Sequence, residues 1–360
     1  MVKDYALALK ERGHEVCIVV LEDMPDMPNE LAVKNANIEI ISIGCYPKSS
    51  KLLDRLWSKL LRTVTGPDLI PSLRLKKIIK NLKPDVVHIH LHMMQYCYQI
   101  RNSIEGIKLI YTCHNEPKVL FREKTKATKK SLKWFVEQGR VQIIALHSNM
   151  EEEIKCIFNG ADVVTLNNPV DLKRFILPKK DNQSIRKDLE IPENAFVIGN
   201  VGRFSKQKNQ EWIVEVFAEC IKKKQDAFLL LIGSGYKMDL IKKQLREKNL
   251  EKHCLILSDR NDIPELDNAM NVFVLPSLYE GFPISLIEAQ SVGLKCVVSD
   301  RITPDAVLTD NVCMLSLNES AETWSKAILT NEFKPVRPTH NLEDFDINRV
   351  VDKLIQIYSE

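Results

Sequence analysis

Short, β-branched apolar runs alternate with amphipathic stretches along most of the chain. In the first half the runs are 15–21, 38–43, 85–90, 108–112, 141–146 and 162–166. In the second half they are 196–201, 227–232, 253–257, 271–275, 295–299 and 312–317. Each is bounded by polar residues, Gly or Pro, which predicts buried strands, and helical spacing over stretches such as 76–82, 131–138 and 150–158 separates them. Strand–helix alternation, run through twice, predicts an α/β fold of two Rossmann-like domains, each a parallel sheet covered by helices on both faces.

The boundaries follow from the breaks in this pattern. Residues 1–166 form the first domain, 167–192 a connection with three prolines and a polar run at 179–184, and 193–340 the second domain. Residues 341–360 hold a closing helix, with Ile347, Val350, Val351, Leu354 and Ile357 at helical spacing behind Asp346 as N-cap. Ligands of open parallel sheets collect at the carboxyl ends of the strands, so two such sheets facing each other would put both sets of loops into one cleft. The opening of the chain departs from this scheme. Val2, Tyr5, Ala6 and Leu9 already read as a helix ended by Gly13, where a strand and a Gly-rich turn are expected first. The expectation is that the first strand and Gly-rich loop are missing from the first domain, either because the natural gene starts upstream or because the chain is truncated.

Composition narrows the class. With 44% hydrophobic and 28% charged residues over 360 positions the chain has enough apolar material for real cores. No apolar run reaches the length of a membrane span and residues 1–10 lack a signal-peptide core, so a cytoplasmic protein is expected. The nine cysteines are odd in number and scattered without a Cys-x-x-Cys pair. They read as small buried hydrophobes rather than disulfides, a zinc site or a redox pair. The net charge of +3 is unevenly spread: residues 1–170 hold 25 Lys and Arg against 19 Asp and Glu, and residues 48–83 hold ten cations with only Asp54 and Asp68 as acids.

Two segments carry candidate chemistry. After the run ending at Leu275, Tyr279-Glu280-Gly281-Phe282-Pro283-Ile284 leads into a helix that contains Glu288. Gly281 allows close backbone approach, Pro283 suits a first helical turn, and a helix amino terminus offers free N–H groups to an anion. Carboxylates repel phosphate but bind hydroxyls, so Glu280 and Glu288 beside an anion site suit a sugar and a ribose diol, which a nucleotide-sugar combines. Val201-Gly202-Arg203-Phe204, followed by Lys206 and Lys208, supplies cations at the end of another strand. An Arg fork and a Lys point charge suit a diphosphate that gains charge as a bond to it breaks.

Val201-Gly202-Arg203 with Lys208-Asn209, the Glu280 to Ala289 segment and Asn168-Pro169-Val170-Asp171 resemble the signature segments of retaining glycosyltransferases of family 4, which have the two-domain GT-B fold. The resemblance spans nearly the whole chain and is strongest from about 166 to 316. It implies transfer of a sugar from a nucleotide-sugar with retention of configuration and without a metal or other cofactor. It also implies that Arg203 and Lys208 hold the diphosphate, with Gly202 beside them and the Gly281, Phe282, Pro283 and Ile284 backbone completing the cradle. Glu288 would hold the ribose and Glu280 the donor sugar, and the loop 258–263, with Arg260 and Ile263, would meet the base. His114, after the strand at 108–112, matches a family histidine that contacts the donor sugar.

Departures from the family pattern are few. Asn261 stands where Asp is usual and Ser258 where Gly is frequent, and Arg301-Ile302-Thr303-Pro304-Asp305 replaces a Gly-rich turn and a Glu, a version similar to the branch making bacterial surface polysaccharides. Gly233-Ser234-Gly235 lacks a third glycine at dinucleotide spacing. His88, His90 and His92 form a superficially metal-like comb, but alternation turns His88 and His90 to one face and no metal is expected. Asp344-Phe345-Asp346 imitates an acidic metal triplet, and its place before the last helix favours capping.

Residues 51–62 are amphipathic, with Leu53, Leu56, Trp57 and Leu60 on one face and Lys51, Arg55, Lys59 and Arg62 toward another; a second basic run covers 118–133. Such segments suit an anionic membrane surface, or else pack their apolar face on the sheet and leave the cations solvated. The resulting expectation is a glycosyltransferase extending a polyprenyl-linked saccharide for capsule or O-antigen, peripheral on the inner leaflet and without nucleic-acid partners. The competing readings are a nucleotide-sugar epimerase or hydrolase of the same fold and an inert nucleotide-sugar binder.

Overall fold

A computed structural model describes residues 1–21, 28–44, 69–121, 126–178, 180–330, 338 and 340–360. The amphipathic stretch 51–62 lies outside the described residues. The chain forms two compact domains, Met1–Asn167 with Val350–Glu360, and Asn168–Arg349. Both are α/β with parallel strands throughout.

In the first domain the strands are β1 (Cys17–Val20), β2 (Glu39–Ser42), β3 (Val86–His90), β4 (Lys108–Thr112), β5 (Gln142–Ala145) and β6 (Asp162–Thr165). They form two separate sheets, β1-β2 and β3-β4-β5-β6, and no described strand pairs with the outer edge of β1 or of β3. Leu109, Ile110 and Tyr111 of β4 and Ile143 and Ile144 of β5 are all buried, as strands covered on both faces must be. Leu132 and Phe135 of the helix Lys126–Glu137 and Met150 and Ile154 of the helix Ser148–Ile157 are buried with them. The apolar face of 126–137 is therefore used inside the domain, while Lys129, Lys130 and Lys133 stay exposed.

The last helix, Ile347–Ser359, buries Val350, Val351, Leu354 and Ile357, and Asp346 Oδ1 accepts from Asn348 N at 2.9 Å, so the acidic triplet does cap. Residues 350–360 of this helix belong to the first domain rather than standing apart. Arg12 Nε donates to Asp352 Oδ1 at 2.9 Å, and Lys108 Nζ reaches the carbonyl of Ile357, where a cation opposes the helix dipole.

The second domain has β7 (Phe196–Val201), β8 (Ala227–Ile232), β9 (Cys254–Leu257), β10 (Val272–Leu275), β11 (Lys295–Ser299) and β12 (Val312–Leu315), ordered β12-β11-β10-β7-β8-β9. One face of this sheet, with Ile198, Leu229, Leu231, Val272, Val274 and Val297, packs under Ile213, Phe217, Ile241 and Trp324. Residues 168–192, expected as a connection, fold into this domain through the helices Leu172–Ile176 and Asn182–Asp188. The reason is Arg186, whose guanidinium is buried and donates to Ala269 O at 3.0 Å, Ala195 O at 3.0 Å and Asn271 Oδ1 at 2.8 Å. Cys97, Cys113, Cys220, Cys296 and Cys313 are buried as small apolar side chains, whereas Cys156 is exposed on its helix, against expectation.

Gln290, inside the helix Ile284–Ser291, ties that helix to the loop 306–309. Its Nε2 donates to Ala306 O at 2.9 Å, and its Oε1 accepts from Leu308 N at 2.7 Å and Thr309 N at 3.0 Å. Gln290→Leu keeps the volume and strands those buried backbone groups, so the second domain should lose about 3 kcal/mol. Chemical denaturation followed at domain-specific probes reads this as a lower midpoint with an unchanged slope.

Candidate functional site

In the second domain the chain leaves β7 toward β8 on one side and β10 toward β11 on the other, so the strand order reverses between β7 and β10. That reversal opens a crevice at their carboxyl ends, where open α/β sheets bind ligands. The loops after these two strands carry Gly202-Arg203 through Lys208 and Ser277 through Ile284.

The β7 loop is held by backbone contacts. Gly202 N donates to Ile232 O at 2.9 Å and Phe204 N to Ser234 O at 2.9 Å. A Cβ on Gly233, at φ +143°, would lie 2.2 Å from Gly202 O, and one on Gly235 would lie 2.3 Å from Phe204 O. The Gly-Ser-Gly segment thus serves backbone-to-backbone packing of the β7 and β8 loops. Gln210, fully buried, donates to the Arg203 carbonyl at 3.0 Å. The Arg203 side chain is exposed, with no ion pair or hydrogen bond among the described residues.

The β7 and β10 loops are laced together. Leu278 N donates to Gln207 O at 2.8 Å, Gln207 Nε2 to Tyr279 O at 3.0 Å, and Asn209 Nδ2 to Pro276 O at 3.2 Å. At the centre Lys208 Nζ lies 2.7 Å from Glu280 Oε1, and Glu280 is only 5% exposed. The structure therefore brings the expected diphosphate cation and sugar carboxylate into one ion pair.

Pro283 is the N-cap of the helix Ile284–Ser291, one position earlier than its expected place in the first turn. Leu286 is the first residue there to donate back, to Pro283 O at 3.0 Å, so the amides of Ile284 and Ser285 precede the intrahelical ladder. Glu288 is half-buried on the same helix. Gly281 and Phe282 are buried, with the Phe282 ring stacked on Phe345 at 5.4 Å. Asn168 Nδ2 reaches Phe282 O at 3.5 Å, and Val170 N donates to Phe345 O at 2.8 Å, so the Asn168-Pro169-Val170 segment braces the cradle from behind. Arg260 is taken up by a two-pronged ion pair with Asp262, the residue preceding the helix Ile263–Asn268, and burial of this pair is partial.

In the first domain His114 follows β4 and does not stand alone. His90 Nδ1 lies 2.8 Å from His114 Nε2, the two rings stacked with centroids 5.1 Å apart, and His88 lies 4.2 Å from His90. His88 is held at both ring nitrogens, by Tyr358 Oη at 2.7 Å and Thr112 Oγ1 at 2.6 Å. Burial pushes His114 down to about 4, helped by the chain's amino terminus, and His88 down to about 3, helped by His114. His90 is lowered for the same reason, so all three rings are neutral near pH 7. His92 turns away to Thr128 Oγ1 at 3.4 Å. Among the described residues no three His, Cys, Asp or Glu side chains are grouped to hold a metal ion.

Sequence reasoning did not reach Glu116, two residues beyond His114. Burial, with repulsion from Glu153, raises its carboxyl to about 7 against the pull of Lys118. It faces His147 Nε2 at 4.0 Å. The His90–His114 pair also escaped, because strand register decides which side chains meet and His90 is the Cα partner of Thr112.

Family models match both parts of the chain, "Glycosyltransferase Family 4" over residues 1–174 and "Glycosyl transferases group 1" over residues 181–333. The chain is similar to the UDP-Gal:alpha-D-GlcNAc-diphosphoundecaprenol alpha-1,3-galactosyltransferase of Escherichia coli, 33% identical over 298 residues covering 78% of this chain and 75% of that protein. A capsular polysaccharide biosynthesis glycosyltransferase, CapH, of Staphylococcus aureus is 24% identical over 304 residues, 78% of this chain and 79% of that one. Among solved structures, Anabaena HepE in complex with UDP and glucose superposes with a TM-score of 0.76 at 16% identity, covering 99% of this chain and 94% of that one. WaaG, a glycosyltransferase involved in lipopolysaccharide biosynthesis, gives 0.70 at 14%, covering 99% and 95%.

Glu116 supplies a test of the local electrostatics. A carboxyl raised in the folded state contributes stability that is fully present below its unfolded value of 4.5 and is lost as pH rises through 7. Glu116→Gln should therefore stabilise the protein by an amount that grows from pH 4.5 to 7 and stays constant above. Thermal melts of both forms across pH 4.5–8.5 measure it.

Proposed function

Because the chain belongs to glycosyltransferase family 4 and has its GT-B fold of two Rossmann-like domains, we propose that it transfers a sugar from a nucleotide-sugar, with retention of configuration, to a lipid-linked saccharide of a cell-surface polysaccharide. The observation that carries this reading is the Lys208–Glu280 pair at the reversal of the sheet, with exposed Arg203 and the amino end of the Ile284 helix as its neighbours in sequence and topology. The diphosphoundecaprenol acceptor named for the E. coli relative supports a lipid-linked acceptor, and UDP in the Anabaena complex supports a uridine donor.

The chemistry follows from charge. As the bond between the anomeric carbon and the donor diphosphate breaks, negative charge grows on the diphosphate. Arg203 and Lys208 stabilise it, and the Ile284 and Ser285 amides add fixed partial charge. A diphosphate shares the Lys208 ammonium with Glu280, and Glu280 then turns its oxygens to sugar hydroxyls. Glu288 takes the ribose diol, and the backbone around Arg260 and Ile263 takes the base. His114 supplies a neutral hydrogen-bonding group to the donor sugar. The acceptor hydroxyl approaches from the face the diphosphate leaves and passes its proton to the departing phosphate, so the cations replace a metal and no separate base is required.

The basic run 118–133 gives this enzyme an electrostatic hold on an anionic bilayer. Its helix has its apolar face committed to the core, so exposed lysines alone act and the attraction is salt-sensitive. Among the described residues no helix is long and apolar enough to cross a membrane.

Arg203→Ala should lower turnover roughly 10²-fold with little change in stability, since it removes a transition-state charge partner. Lys208→Ala should cost as much in rate and also destabilise the domain, because it leaves Glu280 buried without its cation. Rates with UDP-galactose and a GlcNAc-diphospholipid, with and without EDTA, and proton NMR of the product anomer test the proposal. Donor consumption without an acceptor, loss of activity on chelation, or an inverted product would each overturn its corresponding part. In flotation with vesicles containing phosphatidylglycerol, the protein should rise at low salt and stay down at ~0.5 M salt, where the Debye length has shrunk to a few ångströms. Equal recovery on neutral vesicles would remove the membrane reading.

A further inference from the structure

The three neutral imidazoles of the first domain form a directed arrangement. His88 has both nitrogens occupied, by Tyr358 from the terminal helix and by Thr112 from β4, so its ring is fixed in plane and position. Its ring lies tilted against that of His90, centroids 4.2 Å apart, and His90 in turn offers Nδ1 to His114 Nε2 at 2.8 Å. A 2.8 Å contact between two uncharged imidazoles holds one hydrogen, carried by one ring and accepted by the other. That bond uses Nε2 of His114 and leaves Nδ1 as its open nitrogen; no bond to that atom occurs among the described residues.

The consequence is a coupling of polarity across the pair. When His90 carries the proton on Nδ1, the neutral His114 must carry its own on Nδ1 and presents a donor. When His114 carries it on Nε2, its Nδ1 becomes an acceptor and His90 presents an Nε2–H. The two rings therefore hold complementary tautomers, and whatever fixes His90 also fixes His114.

We propose that His90, backed by His88 and the Tyr358 hydroxyl, is a positioning residue that fixes the ring plane and tautomer of His114 and so sets whether His114 Nδ1 donates to or accepts from a donor-sugar hydroxyl. This rests on the reading above that His114 contacts the donor sugar. His90 acts only on the bond that His114 offers to the sugar, so binding of the nucleotide alone is not affected. His90 touches no substrate in this scheme and acts through His114.

The experiment uses the full chain labelled with 15N-histidine, whose ring nitrogen shifts distinguish the two tautomers. Wild type should show His114 in a single tautomer. In His90→Phe, which keeps an aromatic ring and removes the bond, His114 should move to the mixed population of a free imidazole, and in His90→Gln, whose amide can still reach Nε2, a single tautomer should return. In kinetics with UDP-galactose, or whichever nucleotide-sugar of a UDP- and GDP-sugar panel is turned over, His90→Phe should lower kcat/KM about 30-fold. His90→Gln should recover most of that loss, Tyr358→Phe should cost about threefold, and affinity for UDP alone should not change. Unchanged His114 ring shifts in His90→Phe overturn the proposal, as does a tautomer change without a kinetic change while His114→Ala is impaired. If His114→Ala has wild-type kinetics, the donor-sugar reading of His114 fails instead, while the ring shifts still report whether His90 fixes its tautomer. Loss of UDP affinity in His90→Phe would show a general structural effect, and then the positioning role is rejected.

Discussion

A carboxylate left with one-twentieth of its surface in water either takes up a proton or is matched by donors or a cation at hydrogen-bond distance, because the cost of desolvating it is several kilocalories per mole. Glu280 is in that position and Lys208 is its partner, 2.7 Å away. The two residues sit on loops that leave neighbouring strands in opposite directions, so the pair can form only if the loops are drawn together at the reversal of the sheet. The three hydrogen bonds joining 207 to 278 and 279 and 209 to 276 do that with backbone and amide groups alone. Gly233 and Gly235 then let the β8 loop press against the β7 loop from the far side. The ion pair is thus the point at which the local geometry of three strand ends is fixed.

The same pair shapes what the site can do. An ammonium already satisfied by a carboxylate is held in place, so Lys208 is oriented before any ligand arrives. Arg203 differs: its backbone is held by Gln210 while its guanidinium stays in solvent. One cation is fixed in an ion pair and the other stands in solvent.

Much of this was legible in the sequence. All twelve strands among the described residues fall where apolar runs of five to seven residues predicted them, because a strand covered on both faces has no polar side to disguise it. The strand-to-helix junction at Glu280 was legible because Gly and Pro mark such a turn. What failed to show was pairing across register. Nothing in the spacing of 88, 90 and 114 says that two imidazoles meet at 2.8 Å while His92 turns to Thr128. The Gly-Ser-Gly segment was likewise set aside for want of a third glycine at dinucleotide spacing, and its real work, the close approach of two backbones, is a tertiary fact. The connection at 167–192 looked like a linker by its prolines, but buried Arg186, with a guanidinium that reaches two backbone carbonyls and an Asn amide oxygen, commits it to the second domain.

The two domains present different chemistry at their strand ends. In the second domain the functional groups are permanent charges and backbone dipoles, which suit a ligand part whose charge is fixed and large. In the first the cluster is neutral: burial keeps His88, His90 and His114 unprotonated near pH 7, and adding a proton to one would set a charge against two buried rings and break a short hydrogen bond. A diphosphate gains from the first kind of surface and a hydroxyl from the second, because neutral imidazoles can both donate and accept where an imidazolium can only donate. Glu116, with its carboxyl raised to about 7 beside this neutral surface, places a charge that responds to pH two residues from the histidine expected to meet the sugar. The first domain can therefore change its electrostatic character as the pH passes through this range.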